Sequence, residues 1–337
     1  MLRDRGRSKI RDKMSYSKRH GNSVSLAITI YLIGGEYTVN AHYYAPVATI
    51  FRPDGITPDW EGNQILWDFV ISHGVDGIVL MGSTGEFFSM TLDTQKSIID
   101  FAARTLLGRT KIIVGVSRMN IEETQDLCQY AVKAGFREVM LISPYYFSLT
   151  QEDLKNYYTR IAEQTDAQIY LYNFPARTGH DLSPELVKYL AMTQKNIIGL
   201  KDTVENYGHT RTIIQMVKPI RPEFEIFTGY DEYFSHCAMS GGDGCIGGLA
   251  NLFPEKCSQW REAVQENDFD MVCSIQKFID CAMQLYTVST PFLPALKYAL
   301  QLRSIPLDEV CTFPIQKLSV KKKRQLEHLM TDLEKMC

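Results

Sequence analysis

The feature that most constrains the fold of this chain is a regular alternation of short apolar runs of β type with longer amphipathic helical stretches. The alternation begins at His42, and glycines or polar turns usually separate its members. Eight strand–helix repeats predict a parallel sheet, and eight such strands can close into a (β/α)8 TIM barrel. The predicted strands lie near Ala45–Ile50, Gly77–Met81, Lys111–Gly115, Glu138–Ile142, Gln168–Tyr172, Ile197–Lys201, Glu225–Thr228 and Gly244–Gly247.

The helical stretches support this α/β fold class. Two of them begin with good caps, at Thr91 and at Ser183, which is followed by Pro184 at the first helical position. The predicted helices between strands include Gln64–Ser72, Thr91–Leu106, Ile121–Lys133 and Pro184–Met192. A doubly wound sheet is the alternative, but it is expected to carry a GxGxxG turn after an early strand, where this sequence has none.

The pattern divides the chain into three predicted segments. Residues 42–266 form the barrel, and residues 267–337 form a C-terminal helical domain that is expected to provide an oligomer contact. Residues 1–41 are predicted to be a loosely attached N-terminal extension, with a basic start and an apolar run at Val24–Ile33. That run is too short to span a bilayer, and a signal peptide is the alternative interpretation.

Charge and cysteine content limit the possible function classes. The net charge of −3 gives no case for a nucleic-acid partner, and no membrane partner is expected. The eight cysteines are scattered and form no CxxC pair. This distribution indicates reduced thiols in a cytoplasmic protein, not a disulfide framework or a zinc site.

Lys201 ends the sixth predicted strand, which is an unusual place for a lysine. Burial lowers the pKa of a lysine and makes its amine available as a nucleophile, so Lys201 is a candidate Schiff-base residue. The ordinary alternative is a lysine that emerges into solvent and pairs with a neighbour such as Asp202.

A turn of small residues, Gly82-Ser83-Thr84-Gly85-Glu86, follows the second predicted strand. Its glycines allow a tight turn in which hydroxyls and amide N–H groups point into one small space, which suits a carboxylate or a phosphate. Glu86 could act as a base, but a structural role as an acceptor for loop N–H groups is the favoured interpretation.

Further candidate residues follow three later strands. Tyr172 is placed to project its hydroxyl over the barrel mouth, where a phenol can act in a proton relay. Arg177 lies on the next loop and could bind a substrate carboxylate or form a surface ion pair. The glycine-rich run 241–248 indicates close approach of a ligand or of neighbouring backbone. Asp231 and Glu232 are predicted to serve the N-terminus of the helix that they begin.

These residues together describe a site with a nucleophilic amine, a carboxylate-binding turn, a phenolic relay and no metal ligands. Such a site suits a 2-oxo acid, because an amine can condense with the ketone while the turn holds the carboxylate. The resulting iminium acts as an electron sink for making or breaking a bond at the next carbon.

From about Ala45 onwards the chain resembles the dihydrodipicolinate synthase / N-acetylneuraminate lyase family of class I pyruvate-dependent aldolases. The matching motifs are Gly82–Glu86, Tyr172-Asn173-Phe174-Pro175-Ala176-Arg177-Thr178-Gly179 and Gly199-Leu200-Lys201-Asp202. The resemblance implies a barrel with a C-terminal helical domain, a homotetramer built as a dimer of dimers, and no organic cofactor or metal.

The resemblance also implies roles for individual residues. Lys201 forms the imine with pyruvate, and Tyr172 is the general acid/base beside it. Ser83, Thr84 and Gly85 belong to the turn that holds the carboxylate of pyruvate, and Ser83 also joins the relay. Tyr146 matches a tyrosine that reaches across a dimer interface to complete the partner's relay, and Ile246 matches a position whose backbone carbonyl faces the substrate.

The motifs leave the substrate open. Stretches such as His180–Val187 and Gly208–Arg211 look most like 2-keto-3-deoxy sugar acid aldolases. Arg177, in contrast, stands where dihydrodipicolinate synthases hold the carboxylate of aspartate semialdehyde. Phe87 and Phe88 replace the small residues of lysine-inhibited synthases, which argues against lysine feedback. The expected activity is retro-aldol cleavage of a sugar acid. The alternatives are the synthase reaction and a non-catalytic paralogue that binds a 2-oxo acid, and related imine chemistry such as dehydration of a keto-sugar diacid also remains open.

Overall fold

The structure is a computed structural model that describes residues 39–336, so the predicted extension and signal peptide lie almost wholly outside it. Eight parallel strands follow one another around a closed barrel, in which the eighth strand pairs with the first. The predicted (β/α)8 TIM barrel is therefore confirmed. The strands are β1 His42–Pro46, β2 Gly77–Leu80, β3 Lys111–Gly115, β4 Glu138–Ile142, β5 Gln168–Asn173, β6 Ile197–Asp202, β7 Glu225–Thr228 and β8 Gly244–Ile246.

Helices alternate with the strands, and several begin where their caps predict. Thr91 accepts a hydrogen bond from the N–H of Thr94, and Ser183 accepts one from the N–H of Leu186. The helices that accompany the barrel are α1 Trp60–Ser72, α2 Leu92–Leu106, α3 Ile121–Lys133, α4 Gln151–Ala162, α5 Pro175–Thr178, α6 Pro184–Thr193, α7 Gly208–Val217, α8 Phe234–Met239 and α9 Pro254–Glu266.

The first strand differs from its prediction, which placed it at Ala45–Ile50. In the structure β1 begins at His42, because residues 42–44 pair with β8. The apolar run beyond Pro46 is buried for another reason. Its backbone is held by side chains, with Ala48 N–H donating to Asn251 and Ile50 N–H donating to Asn63. An apolar run alone does not distinguish strand pairing from this kind of packing.

Four further helices follow the barrel: α10 Phe269–Ala282, α11 Leu285–Val288, α12 Leu293–Leu302 and α13 Val320–Glu334. Their buried faces join the same hydrophobic core as the barrel, through residues such as Phe278 and Leu326. The boundary between residues 266 and 267 stays a prediction. Within residues 39–336, no helix is both long and apolar enough to cross a bilayer.

The strand register determines which side chains meet at the barrel mouth. Tyr172 on β5 pairs with Lys201 on β6, and Asn173 pairs with Asp202 one residue further on. Because side chains alternate between the two faces of a strand, the first pair points into the barrel and the second points outward. The candidate chemistry therefore lies on one side of these strand ends and its structural support on the other.

Candidate active site

A cavity of about 200 Å³ opens at the carboxyl ends of the strands, which is where barrel enzymes carry out their chemistry. Barrel loops and the segment between α10 and α12 both contribute to its wall. The lining residues are Pro46, Ser83, Thr84, Tyr172, Phe174, Arg177, Lys201, Thr203, Gly229, Tyr230, Asp231, Ile246, Gly248, Met283, Tyr286, Ser289, Thr290, Pro291 and Phe292.

Lys201 lies inside this cavity with only 5% of its surface exposed. Its amine nitrogen is 4.6 Å from the centre of the Tyr172 ring, a contact typical of a cation–π interaction. The alternative in which Lys201 pairs with Asp202 is wrong, because Asp202 points the other way and binds Asn173, His209 and Thr210. Among the described residues Lys201 forms no ion pair, and its side chain lines the cavity beside Tyr172.

The turn after β2 has the form expected of an anion-binding loop. The N–H groups of Gly85 and Glu86 close the turn on the carbonyls of Gly82 and Ser83. The N–H groups of Ser83 and Thr84 donate to no other described residue. Both residues line the cavity, and Gly85 is needed because a Cβ there would lie 3.1 Å from the backbone of Met81. The turn thus presents two amides and two hydroxyls to the cavity.

Glu86 is a structural acceptor, as favoured by its sequence context, but its partners come from α12 and from the segment between α12 and α13. It is fully buried in the left-handed conformation, with φ of 59°. Its carboxylate accepts from Nζ of Lys297 at 2.5 Å, and from the N–H and hydroxyl of Thr312 at 2.7 and 2.9 Å. Because these bonds use both oxygens, Glu86 is not available as a base.

Tyr172 links the lysine to the turn. Its hydroxyl lies 3.2 Å from Oγ of Ser83, within hydrogen-bonding distance, and its ring covers the Lys201 amine. A proton can therefore pass between the lysine side of the cavity and the turn through two hydroxyls.

The remaining predicted residues occupy different positions. Arg177 is exposed on α5, with its guanidinium 5.5 Å from the centre of the Phe174 ring at the rim of the cavity. It forms no ion pair with another described residue. Ile246 is buried at the end of β8 and lines the cavity. Tyr146 lies outside the cavity wall and is 81% exposed, so within one chain it does not contact the site.

The glycine-rich run beside β8 admits close neighbours, as predicted. A Cβ on Gly244 would lie 1.9 Å from the carbonyl oxygen of His42, and one on Gly247 would lie 2.3 Å from the Asp231 carboxylate. Backbone and side chains of the barrel itself therefore approach closely at both positions.

The prediction that Asp231 serves the N-terminus of its own helix is wrong. Asp231 is buried, and its carboxylate accepts from the N–H groups of Gly248 and Leu249 and from the hydroxyls of Tyr43 and Tyr286. It thereby anchors the backbone after β8 beside Ile246. Burial raises the pKa of Asp231, against these hydrogen bonds and the nearby charge of Lys201, which act to lower it.

The sequence analysis missed Thr203. This residue is 4% exposed and lines the cavity, and its hydroxyl has no hydrogen-bond partner among the described residues. One signal could have identified Thr203: it follows Lys201 by two residues, and side chains two residues apart on a strand point to the same face.

No cluster of three or more potential metal-ligating side chains occurs within residues 39–336. All cysteines in that part of the chain are free thiols.

Comparison with known proteins gives consistent results at the levels of sequence and structure. The model of the dihydrodipicolinate synthetase family matches residues 41–333. "Probable 2-dehydro-3-deoxy-D-pentonate aldolase YjhH" of Escherichia coli K12 is 35% identical over 286 residues, which cover 85% of this chain and 95% of the relative. The 4-hydroxy-tetrahydrodipicolinate synthase of Kosmotoga olearia is 30% identical, with 82% of this chain and 95% of the relative covered.

Among solved structures, the chain is similar to YagE, a prophage protein of the dihydrodipicolinic acid synthase family from Escherichia coli K12, in complex with pyruvate. The TM-score is 0.85 at 34% sequence identity, and the match covers 90% of this chain and 100% of YagE.

Proposed function

Because the chain belongs to the dihydrodipicolinate synthetase family, we propose that it is a class I aldolase that cleaves a 2-keto-3-deoxy sugar acid into pyruvate and a hydroxyaldehyde. The family and the lyase class predicted from the sequence are confirmed by the match over residues 41–333. The observation that carries the proposal is the amine of Lys201, buried in the cavity without an ionic partner among the described residues and covered by Tyr172. The similarity to a protein named as a sugar-acid aldolase, and to a structure solved with pyruvate, supports this reaction.

In the proposed mechanism, the turn after β2 positions the substrate. The free N–H groups of Ser83 and Thr84 and the two hydroxyls surround the substrate carboxylate, while Gly85 allows the tight turn. Lys201 attacks the C2 ketone, and the resulting carbinolamine loses water to give the iminium. The hydroxyl pair of Tyr172 and Ser83 supplies the proton for the departing water, since these hydroxyls are 3.2 Å apart beside the amine.

Cleavage then uses the iminium as an electron sink. Tyr172 removes the proton of the C4 hydroxyl, the C3–C4 bond breaks, and its electron pair moves into the enamine on C3. The aldehyde leaves, and C3 of the enamine takes from Tyr172 the proton that came from the C4 hydroxyl. Water then hydrolyses the iminium, which releases pyruvate, returns a proton to Tyr172 and restores the Lys201 amine. The backbone carbonyl of Ile246 faces the reacting carbons, and no metal or organic cofactor takes part in this proposal.

The assembly and location are also proposals. Tyr146 is exposed on the loop after β4, which is compatible with a tyrosine that enters the site of a second copy. We propose a homotetramer built as a dimer of dimers, in which this residue completes the partner's relay. The free cysteines of the described residues are consistent with the cytoplasmic location that we propose.

The synthase reaction, which joins pyruvate to aspartate semialdehyde, is the second candidate function. Arg177 favours it, because a guanidinium at the cavity rim without an ion pair among the described residues can bind a second carboxylate. The 30% identity to a 4-hydroxy-tetrahydrodipicolinate synthase also supports it.

Side-by-side assays of the wild-type protein and Arg177→Ala separate the two candidates. We expect pyruvate release from a 2-keto-3-deoxy sugar monoacid, with less than about a twofold change in kcat/KM in the variant, because a monoacid offers no second carboxylate. Consumption of aspartate semialdehyde with pyruvate, weakened about tenfold or more by Arg177→Ala, would instead establish the synthase.

A further inference from the structure

A charged network lies directly behind the two reactive strand ends. On β5 and β6, Asn173 and Asp202 follow Tyr172 and Lys201 and point away from the cavity. Nδ2 of Asn173 donates to Asp202 at 2.8 Å, and the N–H of Thr203 donates to the Asn173 carbonyl at 2.8 Å. These bonds fix the relative position of the strand ends that carry the phenol and the amine.

The same network holds together the two ends of the loop of residues 174–182, which carries Phe174 and Arg177. Asn173, just before the loop, donates from Nδ2 to Asp181 at 2.6 Å and accepts at Oδ1 from the N–H of Leu182 at 3.1 Å. The two ends of the loop are therefore tied to one amide side chain.

His209, the second residue of α7, is the cation of this network. Nδ1 lies 2.9 Å from Oδ2 of Asp202, and Nε2 lies 3.0 Å from the carbonyl oxygen of Leu182 and 3.2 Å from Oδ2 of Asp181. Thr210 donates to the same oxygen of Asp202 at 2.6 Å. His209 thus connects a helix outside the barrel to β6 and to the far end of the loop.

The partners of His209 require both ring nitrogens to carry protons. A carboxylate and a backbone carbonyl only accept hydrogen bonds, and a neutral imidazole has one N–H. The doubly protonated ring satisfies both sides and offsets two carboxylates. Burial acts to lower the pKa of His209, but Asp181 and Asp202 outweigh it and raise the pKa to about 10.

We propose that His209, as an imidazolium, is a positioning residue that holds Tyr172 and Lys201 in register and keeps the 174–182 loop in the conformation that places Phe174 and Arg177 at the cavity. The proposal rests on the proposed function, since it assigns His209 a role in placing that reactive pair. Without the imidazolium, Asp181 and Asp202 repel each other across Asn173, and the strand ends lose their common restraint. Displacement of a reacting group by about 1 Å can reduce a rate about a hundredfold.

The first experiment measures the rate of imine formation by trapping with pyruvate and borohydride in the wild-type protein and in His209→Ala. We expect the rate at saturating pyruvate to fall about 10–100-fold. The pyruvate concentration at half-saturation should change less than about twofold, because the carboxylate-binding turn lies on β2 outside the network. The final yield should stay at one adduct per chain, which distinguishes slow chemistry from a reduced folded fraction.

One further variant serves as the control, and added imidazole serves as the rescue. His42→Gln removes another histidine–aspartate pair, with Nδ1 of His42 at 3.5 Å from Asp76, at the opposite end of the barrel, and it should leave the rate unchanged. Added imidazole should restore part of the rate in His209→Ala, because the substitution leaves a ring-sized space at a partly exposed position, and it should not accelerate the wild-type protein.

Hydrogen exchange tests the positioning independently of catalysis. In His209→Gln, exchange should increase over residues 174–182 and at the ends of β5 and β6, and stay unchanged in β1–β3. An unchanged trapping rate in His209→Ala, or a loss that follows the folded fraction and does not respond to imidazole, would overturn the proposal. If the wild-type protein traps no pyruvate, the proposed function fails. Hydrogen exchange in His209→Gln then tests the positioning role by itself, and unchanged exchange over residues 174–182 would remove that role as well.

Discussion

At the scale of single residues, the site depends on space around one amine. Gly229 provides part of that space, because a Cβ there would lie 3.1 Å from Cε of Lys201 and 1.8 Å from the hydroxyl of Thr203. The amine is thereby left facing Tyr172 and the open cavity, with no carboxylate among the described residues to neutralise it in an ion pair. In this position the amine is free to react with a substrate that enters the cavity.

Tyr172→Phe should separate binding from proton transfer. The substitution keeps the ring that covers Lys201 but removes the hydroxyl 3.2 Å from Ser83. We expect kcat for pyruvate release to fall about 10²–10⁴-fold, with a small change in KM. Tyr130→Phe removes a hydroxyl bonded to Asp100 on the outer helices and should leave kcat unchanged. A Tyr172→Phe enzyme with at least half of the wild-type kcat would remove Tyr172 from the relay.

Residues with chemistry at a strand end could be predicted from sequence, whereas residues defined by remote partners could not. Lys201, Tyr172, Thr84 and Ile246 were predicted on strand ends or the turn, and all of them line the cavity. Asp231 was misinterpreted because its partners lie more than ten residues away in sequence, at Tyr43, Gly248, Leu249 and Tyr286. No local pattern distinguishes a helix-starting aspartate from one that anchors a distant turn.

At the scale of elements, one buried ion pair connects the turn of Gly82–Glu86 to the C-terminal helix α12. Lys297 on α12 and Glu86 are both fully buried, and Lys297 also donates to the carbonyl of Val310 at 2.7 Å. The turn therefore takes its conformation partly from a region outside the barrel. This dependence explains how a residue in the left-handed conformation is maintained there.

Lys297→Met should be strongly destabilising because it leaves the Glu86 carboxylate buried without its cation. We expect the free energy of unfolding, measured by urea denaturation, to fall by about 3–5 kcal/mol. The double variant Glu86→Gln/Lys297→Met should recover part of this loss, since the amide oxygen can still accept from Thr312. Equal stability of the single variant and the wild type would show that the pair does not act as a buried charge pair.

His209 should stabilise the folded protein at low and neutral pH and lose this contribution at alkaline pH. Its pKa is raised from 6.5 to about 10 in the folded protein by Asp181 on the adjacent loop and Asp202 on β6. A raised pKa contributes stability that is fully present below pH 6.5 and is lost as the pH rises through 10. The difference in unfolding free energy between the wild type and His209→Gln, from urea denaturation, should therefore be largest below pH 6.5 and shrink towards pH 10. A difference that grows with pH would contradict the assignment of the imidazolium.

The element pattern was largely predictable because strands in a parallel barrel are short, apolar and separated by helices. Strands β3, β4 and β7 have the predicted limits. The shift of β1 could not be predicted, since Tyr43 and Tyr44 look no more strand-like than the apolar run that follows them. Tyr43 and Tyr44 are in a strand because they pair with β8, and this contact joins the first and the last strand of the barrel.

At the scale of the whole molecule, one chain builds the cavity without Tyr146. The cavity contains residues from the barrel and from the segment after α10, whereas Tyr146 stays exposed outside it. Its role in a second copy, the tetramer and the lysine insensitivity inferred from Phe87 and Phe88 remain predictions. These three predictions concern contacts between chains or with an effector, and such contacts leave no periodic pattern in one sequence.

The most direct test of the account is to locate the covalent bond to pyruvate. The protein is incubated with pyruvate, reduced with borohydride and analysed by peptide mass spectrometry, with Lys201→Ala as the control. The account predicts a single reduced pyruvate adduct on Lys201 in the wild type and none in the variant. A folded wild-type protein without an adduct, or with the adduct on another lysine, would contradict the imine mechanism and leave a barrel that binds a 2-oxo acid at most.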